Sequence, residues 1–442
     1  MSNALPGPGT LTGWGQYPKI QGSERLSEDL VRNSADVPLA RGLARSYGDA
    51  SLPPAGGVVA GMRLGDRILA FDEDTGVLTA EAGLSLHDLA VAFLPRGWFT
   101  PVSTGTRYVT LGGMVASDIH GKNHHVSGCF GEHVTGLKIR TGAGEILDIS
   151  PTEHPELFAA TLGGQGLTGH IVQVSVRLKK VPSPWLYEET ERYDDLDSIL
   201  AGVRQASTDF PMTVCWIDTS ATDGRMARGI VMRGRWAEKS EAPRVLPSLA
   251  HKPKLPFSLP SGLANPATIG LANDVWFRLH GPRGKRHVVP PGAYFWILDS
   301  VRNWNLAYGK SGFTQYQCVM PSDPVMWRRF LQTFQALGGC SFVTVFKDCG
   351  PAGTGMMSFP QTGTSIALDI PITSGTPTLI RALNRIVIEN GGRVYLAKDA
   401  YTNAEELRAM YPKIDAWKDV RRRYDPEGRI RSAMSARLGL DL

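Results

Sequence analysis

Ala40-Arg-Gly-Leu-Ala-Arg-Ser-Tyr-Gly-Asp-Ala-Ser51 decides how the rest of this 442-residue chain is read. An apolar run leads into a turn rich in Gly and Ser, where backbone N–H groups can form a concave nest for a pyrophosphate, with Arg41 and Arg45 adding positive charge. A bare surface loop is the competing reading, so the flanking segments must separate the two.

The next informative stretch is Pro101-Val-Ser-Thr-Gly-Thr-Arg-Tyr-Val-Thr-Leu-Gly-Gly-Met-Val-Ala-Ser-Asp-Ile-His-Gly-Lys-Asn-His-His125. Small residues at Gly105, Thr106, Gly112, Gly113 and Ser117 let backbone approach a flat ring closely. The same stretch crowds His120, Lys122, His124 and His125. Its HxxxHH spacing lacks the Glu of HExxH and any neighbouring Cys or carboxylate set, which disfavours a metal. Histidines that position a substrate hydroxyl fit better, with His124 and His125 read as structural.

Gly164-Gln-Gly-Leu-Thr-Gly169 is a literal GxGxxG, but helix precedes it and strand follows, the reverse of a dinucleotide fingerprint. A nicotinamide site is rejected on that order. No GxSxG elbow and no P-loop occurs. Gly391-Gly-Arg-Val-Tyr-Leu-Ala-Lys-Asp-Ala400 ends a strand with Tyr395 and Lys398. Such a lysine is ordinarily a solvated cation, and facing a pocket it becomes a candidate for proton transfer.

Apolar residues at 42% and charged residues at 20% describe a globular chain long enough for two domains. The net charge of +5 is spread without long basic runs, so nucleic acid is not expected. Cys129, Cys215, Cys318, Cys340 and Cys349 form no CxxC pair and read as reduced thiols, and no secretory leader or membrane-spanning run is apparent, so a cytoplasmic location is expected.

Residues 37–181 show short strands at 57–60, 67–71, 76–80 and 171–178, helices at 85–93 and 155–162, and a hairpin at 137–149, an α+β pattern. After Pro182 aromatics and prolines increase, with strands at 315–320 and 341–346 and loops near 239–262 and 281–292. A helix capped by Thr376 over 376–389, a strand at 392–397 and a helix at 405–410 close the chain.

Taken in order, Leu11-Thr-Gly-Trp-Gly15, Arg41-Gly-Leu-Ala-Arg-Ser-Tyr-Gly-Asp49, Asp118-Ile-His-Gly-Lys-Asn-His-His125, Gly166-Leu-Thr-Gly169, Gln315-Tyr-Gln317, Val345-Phe-Lys347, Ala397-Lys-Asp399 and Met410-Tyr-Pro412 resemble the vanillyl-alcohol-oxidase-type FAD superfamily. Within it the chain looks like the decaprenylphosphoryl-β-D-ribose 2′-oxidase family. The resemblance implies a two-domain fold: an FAD domain from 1–181 and 376–442, and a sheet-based substrate domain from 182–375. It implies FAD contacts from Arg41, Gly42, Leu43, Ala44, Arg45, Ser46, Tyr47, Gly48, Asp49, Gly105, Thr110, Leu111, Gly112, Gly113, Ser117, Asp118, His120, Ile171 and Tyr395. Many members tether the flavin through a histidine in the first loop. Arg45 takes that place here, which implies dissociable FAD.

The implied reaction moves a hydride from an alcohol carbon to flavin N5 while a base takes the hydroxyl proton. Lys398, Tyr47 and His120 are the catalytic candidates. The matched positions do not single out the base. Lys122, Gln315, Gln317, Lys347, Ser365 and Ala367 would line the substrate pocket. Two departures from the family bear on the substrate: Ala367 replaces a cysteine of mycobacterial members, and Tyr294-Phe-Trp-Ile-Leu-Asp299 differs from Phe-Tyr-His-Pro-Leu-Asp.

The expected partners are therefore a sugar-like substrate and, for an epimerising pair, a separate NAD(P)H-dependent reductase, with peripheral membrane contact if the substrate is lipid-linked. The rival expectations are an oxidase or dehydrogenase of a soluble sugar, aminoglycoside or alditol, a lactone or alditol oxidase using oxygen, and a non-catalytic flavin-binding protein.

Overall fold

The computed structural model describes residues 9–281 and 284–441. The extreme N-terminus, from which no leader was expected, lies outside them. So does a two-residue part of the expected loop at 281–292.

The chain enters through a four-stranded sheet in which Lys19–Leu26, Val58–Gly61 and Leu39–Arg41 run parallel and Gly9–Thr12 pairs antiparallel at the edge. The strand Leu39–Arg41 stops where glycine begins, so the 42–51 loop leaves from its C-terminal end. A five-stranded antiparallel sheet follows, in the order Ile68–Asp72, Val77–Glu81, His170–Arg177, Val134–Arg140 and Ile146–Ile149. Its hairpin, turning at Thr141–Gly144, is the one the sequence predicts. Helix Leu86–Phe93 starts on Ser85, whose hydroxyl accepts from Asp88 N, and buries Leu86, Leu89, Ala90 and Phe93. Helix Pro155–Thr161 is followed by the glycines and then by strand His170–Arg177, the order used to reject a nicotinamide site.

The largest sheet has eight strands: Lys285–Val289, Leu186–Tyr193, Gly229–Trp236, Met212–Ile217, Thr344–Cys349, Gly363–Pro371, Phe313–Met320 and Arg393–Val394. Strand periodicity gives Phe313–Met320 two faces. Tyr316 turns toward helix Thr376–Glu389, its hydroxyl 2.9 Å from Asn384 Oδ1, while Gln315 and Gln317 take the other face. Many apolar side chains of these three sheets, and Trp98 and Phe99 of a small two-stranded one, belong to one buried core cluster.

Several local expectations are corrected. The first helix is a single turn, Leu30–Asn33, capped by Asp29. The strand expected at 341–346 lies at Thr344–Cys349. Thr376 is inside its helix rather than capping it, because its hydroxyl bonds Thr373 N and Pro371 O. The strand expected at 392–397 ends at Val394, and Tyr395–Lys398 turn away, with Lys398 N donating to Tyr395 O. Part of the loop expected at 281–292 is the edge strand Lys285–Val289, paired to Leu186–Tyr193.

Candidate active site

A cleft of about 630 Å³ runs over one face of the eight-stranded sheet. Loop 42–47, the turn into helix Leu111–Ala116, residues 165–171 and the turn 395–398 close its other sides.

In loop 42–47 the strand has ended, so its backbone groups are no longer committed to a ladder. Gly42, Leu43, Ala44, Arg45 and Ser46 donate no backbone hydrogen bond within the described protein. Five successive open N–H groups on a cleft wall suit an anionic diphosphate. Ala44 holds φ +55°, a conformation uncommon for a residue with a Cβ. The loop is pinned from outside by Trp14 N to Ser46 O, Gly15 N to Tyr47 O and Tyr47 N to Ala397 O. The Arg45 guanidinium lies 3.9 Å from the Trp14 ring centroid and its Nε donates to Tyr108 O. Burial lowers its pKa to about 10.

Thr110 opens the neighbouring helix by accepting from Gly113 N, while Leu111 N and Gly112 N go to Leu84 O and Ala82 O. That turn therefore offers a side-chain-free surface rather than donors, as a flat ring requires. A Cβ on Gly42 would sit 2.4 Å from Thr110 Oγ1, so loop and turn meet only because position 42 is glycine.

The sheet face divides chemically along its length. Gln315, Gln317, Lys347, Ser365 and Ala367 occupy one end, brought level by the register Gln317 to Ala367 and Lys347 to Ser365. Val345, Trp216, Ile230, Val214 and Met232 continue it as an apolar floor, with Trp276, Ile297, Leu298 and Phe342 around it.

At the polar end the Lys398 ammonium nitrogen lies 3.7 Å from the Tyr47 ring centroid. Burial pulls Lys398 down to about 7, opposed by Asp369. Asp369 is wholly buried, receives Gln315 Nε2 at 2.5 Å, and is pushed up to about 7 by that burial. Tyr47 is held well above its ordinary pKa by burial and then by Asp369. His120 Nε2 is 2.9 Å from Gln317 Nε2, and burial followed by Lys347 keeps the ring neutral. Its Nδ1 is buried without a partner. Lys347 donates to Gly121 O at 3.0 Å and Lys122 to Tyr294 O at 2.5 Å. Burial lowers Lys122 to about 8.

The cleft gathers Lys398, Tyr47, His120, all six substrate-pocket candidates, Gly42 to Ser46, Gly105, Thr110, Gly112, Gly113, Ser117, Ile171 and Tyr395. Tyr395 spends its hydroxyl on Ser117 O and sets its ring against His120 and Phe359. Five expected FAD contacts lie behind the wall instead. Arg41 is buried and donates to Ser51 O, Ser51 Oγ and Thr12 O. Gly48 packs where a Cβ would strike Asp399 O. Asp49 pairs with Arg437. Leu111 is core. Asp118 accepts from Gly131 N and Ser358 Oγ, and burial raises it to about 6.

The three histidines diverge. His120 enters the cleft, His124 Nδ1 accepts from Gly350 N, and His125 Nε2 lies 2.9 Å from Phe210 O. Among the described residues no group of three or more His, Cys, Asp or Glu is arranged to hold a metal.

Sequence reading missed the apolar half of the cleft, Asp369, and Trp14 beneath Arg45. Apolar strand residues look the same in a core and in a cleft floor. Trp14 did carry a signal, since it sits in one of the matched segments. Gln165 and Gly166, within the rejected GxGxxG, also line the cleft.

An FAD-binding-domain family model matches residues 31–150 and a D-arabinono-1,4-lactone oxidase model matches residues 370–438. With the open nest, the side-chain-free turn and the buried Lys398, these define an FAD-dependent oxidoreductase of the vanillyl-alcohol-oxidase type. The chain is 37% identical to the decaprenylphosphoryl-β-D-ribose oxidase of Mycolicibacterium smegmatis over 91% of its own length and 89% of that protein's. It is 32% identical to an uncharacterised protein from the mprA 5′ region of Streptomyces coelicolor, over 81% of its own length and all of that protein. The chain belongs to the decaprenylphosphoryl-β-D-ribose oxidase family.

Proposed function

We propose that the protein oxidises an alcohol carbon of a sugar or glycoside to a carbonyl. The observation that carries this is the seating of Lys398 against Tyr47 at the polar end of a cleft whose opposite wall is an open N–H nest. FAD, when bound, supplies a hydride acceptor at N5. Residues 42–46 would hold its diphosphate and the Gly112–Gly113 turn, with Tyr395, would flank its ring. Lys398 takes or shares the hydroxyl proton, Tyr47 orients that hydroxyl, and His120, Gln315, Gln317, Lys347, Ser365 and Lys122 fix the sugar.

Ala367 and the 294–299 segment shape the rest of the pocket. Loop 40–51 contains no histidine and Arg45 is engaged with Trp14 and Tyr108, which supports dissociable flavin. Residues 1–181 with 376–442 form the FAD unit in this reading, and 182–375 the substrate unit.

The apolar floor beyond the polar end favours a sugar joined to an apolar group over a free sugar, aminoglycoside or alditol. A separate NAD(P)H-dependent reductase would then complete an epimerisation. Oxygen as acceptor is the second reading, favoured by the lactone-oxidase match at 370–438.

An anaerobic screen tests this proposal. Alkyl and prenyl-phosphate glycosides should bleach the flavin faster than the free sugars. A protein that neither carries FAD nor takes it up, or whose flavin no sugar alcohol bleaches, overturns it. Peroxide release in air selects the second reading, and acid precipitation should leave flavin in the supernatant.

A further inference from the structure

A second cavity lies behind the cleft, in the seam between the 99–127 stretch and the eight-stranded sheet. It measures about 30 Å³, room for a water-sized or diatomic guest. Phe99, Trp236 and Phe295 wall it with their rings, the Phe99 centroid lying 5.2 Å from that of Trp236 and 5.7 Å from that of Phe295. Pro101, Pro211 and Met212 extend the apolar lining.

The side-chain donors on its inner wall are already spent on the protein. Thr100 Oγ1 donates to Val102 O at 2.9 Å and Asn123 Nδ2 to Pro101 O at 2.8 Å, while Ser103 Oγ donates to Thr104 O and accepts from Trp296 Nε1. Exposed Lys179 and half-buried Ser127 stand at the mouth. A water inside would need about two to four polar partners, whereas a small apolar molecule needs none. The cavity therefore favours an apolar guest.

Ser103 and Phe295 line this cavity and the cleft alike. Phe295 is 7% exposed, so its ring stands in the partition between them. Ser103 packs on Gly121, where a Cβ would meet Ser103 O at 2.9 Å, and Gly121 follows His120, the ring against which Tyr395 lies. A guest that passes the partition enters the cleft beside His120 and Tyr395.

We infer that this cavity is the route by which dioxygen reaches the reduced flavin, with Phe295 as its gate. Dioxygen arriving there takes two electrons and one proton from the reduced flavin and a second proton from solvent, leaving oxidised flavin and hydrogen peroxide. The inference rests on the seat proposed above for the flavin ring, and not on which alcohol is oxidised or on whether oxygen is the acceptor in turnover.

Xenon, an apolar probe, reads the cavity without turnover. A xenon-pressurised crystal of the flavin-loaded protein should show xenon between Phe99, Trp236 and Phe295, and the same map shows where the flavin ring sits. Ser127→Trp, which plugs the mouth, should lose that xenon. Mixing photoreduced protein with aerated buffer then reads the route. Ser127→Trp should reoxidise several-fold more slowly than wild type with its flavin content unchanged, and Phe295→Ala several-fold faster. Two results overturn the route itself. One is ordered water, or no xenon, in the wild-type cavity. The other is xenon lost from Ser127→Trp while its reoxidation keeps the wild-type rate, which makes the cavity a closed void. A flavin ring seated away from Gly112, Gly113 and Tyr395 overturns the placement proposed above and the inference with it.

Discussion

Lys398 Nζ lies 3.7 Å from the centre of the Tyr47 ring, and the two residues come from opposite ends of the chain. The backbone bond from Tyr47 N to Ala397 O locks them together, so the pair is as rigid as the turn that carries it. Asp369 bears on the proton of both, raising Tyr47 and opposing the fall of Lys398.

Replacing Lys398 by Met removes the amine and leaves the stem. Flavin reduction in stopped flow should slow by about 10²–10⁴-fold, the usual contribution of a positioned acid or base. The flavin spectrum should be unchanged, because the nest at 42–46 is intact.

The pH profile follows from burial. Lys398 is lowered to about 7, so its neutral form grows above that pH, and the reduction rate should rise through about 7 to a plateau. Asp369 is the group that opposes this shift. Asp369→Asn removes that opposition, lowers the lysine further, and should move the acid limb to lower pH. An unmoved limb would leave Asp369 a purely structural residue.

Arg437 should be a large stability determinant. It holds Asp49 at 2.7 Å and Asp399 at 2.8 Å, tying the first loop to the C-terminal turn. Burial pushes the Asp399 carboxyl up, but Arg437 together with the Tyr401 and Thr402 N–H groups holds it below its ordinary value. That stabilisation is present above the unfolded carboxylate range and is lost as pH falls through the folded value. Arg437→Met leaves two buried carboxylates unpaired. It should cost about 3–5 kcal/mol in urea unfolding and flatten the acid limb of stability against pH.

Gly42→Ala should empty the cofactor site without unfolding the protein. The new methyl would meet Thr110 Oγ1 at 2.4 Å, forcing the nest away from the turn at a cost of about 1–3 kcal/mol. The ratio of flavin to protein absorbance reports the loss, and adding Thr110→Ala should restore part of it.

Local grammar was legible where a residue acts on its own neighbours. Ser85 announced its helix, the turn at 141–144 its hairpin, and the glycines of 42 and 112–113 the places where backbone must come close. Thr376 misled because a hydroxyl near a helix start can serve the preceding loop equally well. Arg41 and Asp49 sit in the matched segment, and what the sequence did not show is that they engage Thr12, Ser51 and Arg437.

The order of short segments was enough to identify an FAD-dependent oxidoreductase and to name most of the polar residues of its cleft, because each such segment carries its own unusual side chains. The distribution of Lys398, Tyr47 and Asp369 into one buried cluster and the apolar floor from Trp216 to Met232 were decided only by tertiary structure. Each depends on which of two faces a strand or helix turns inward. Periodicity shows that two faces exist, and only packing against the rest of the chain selects between them.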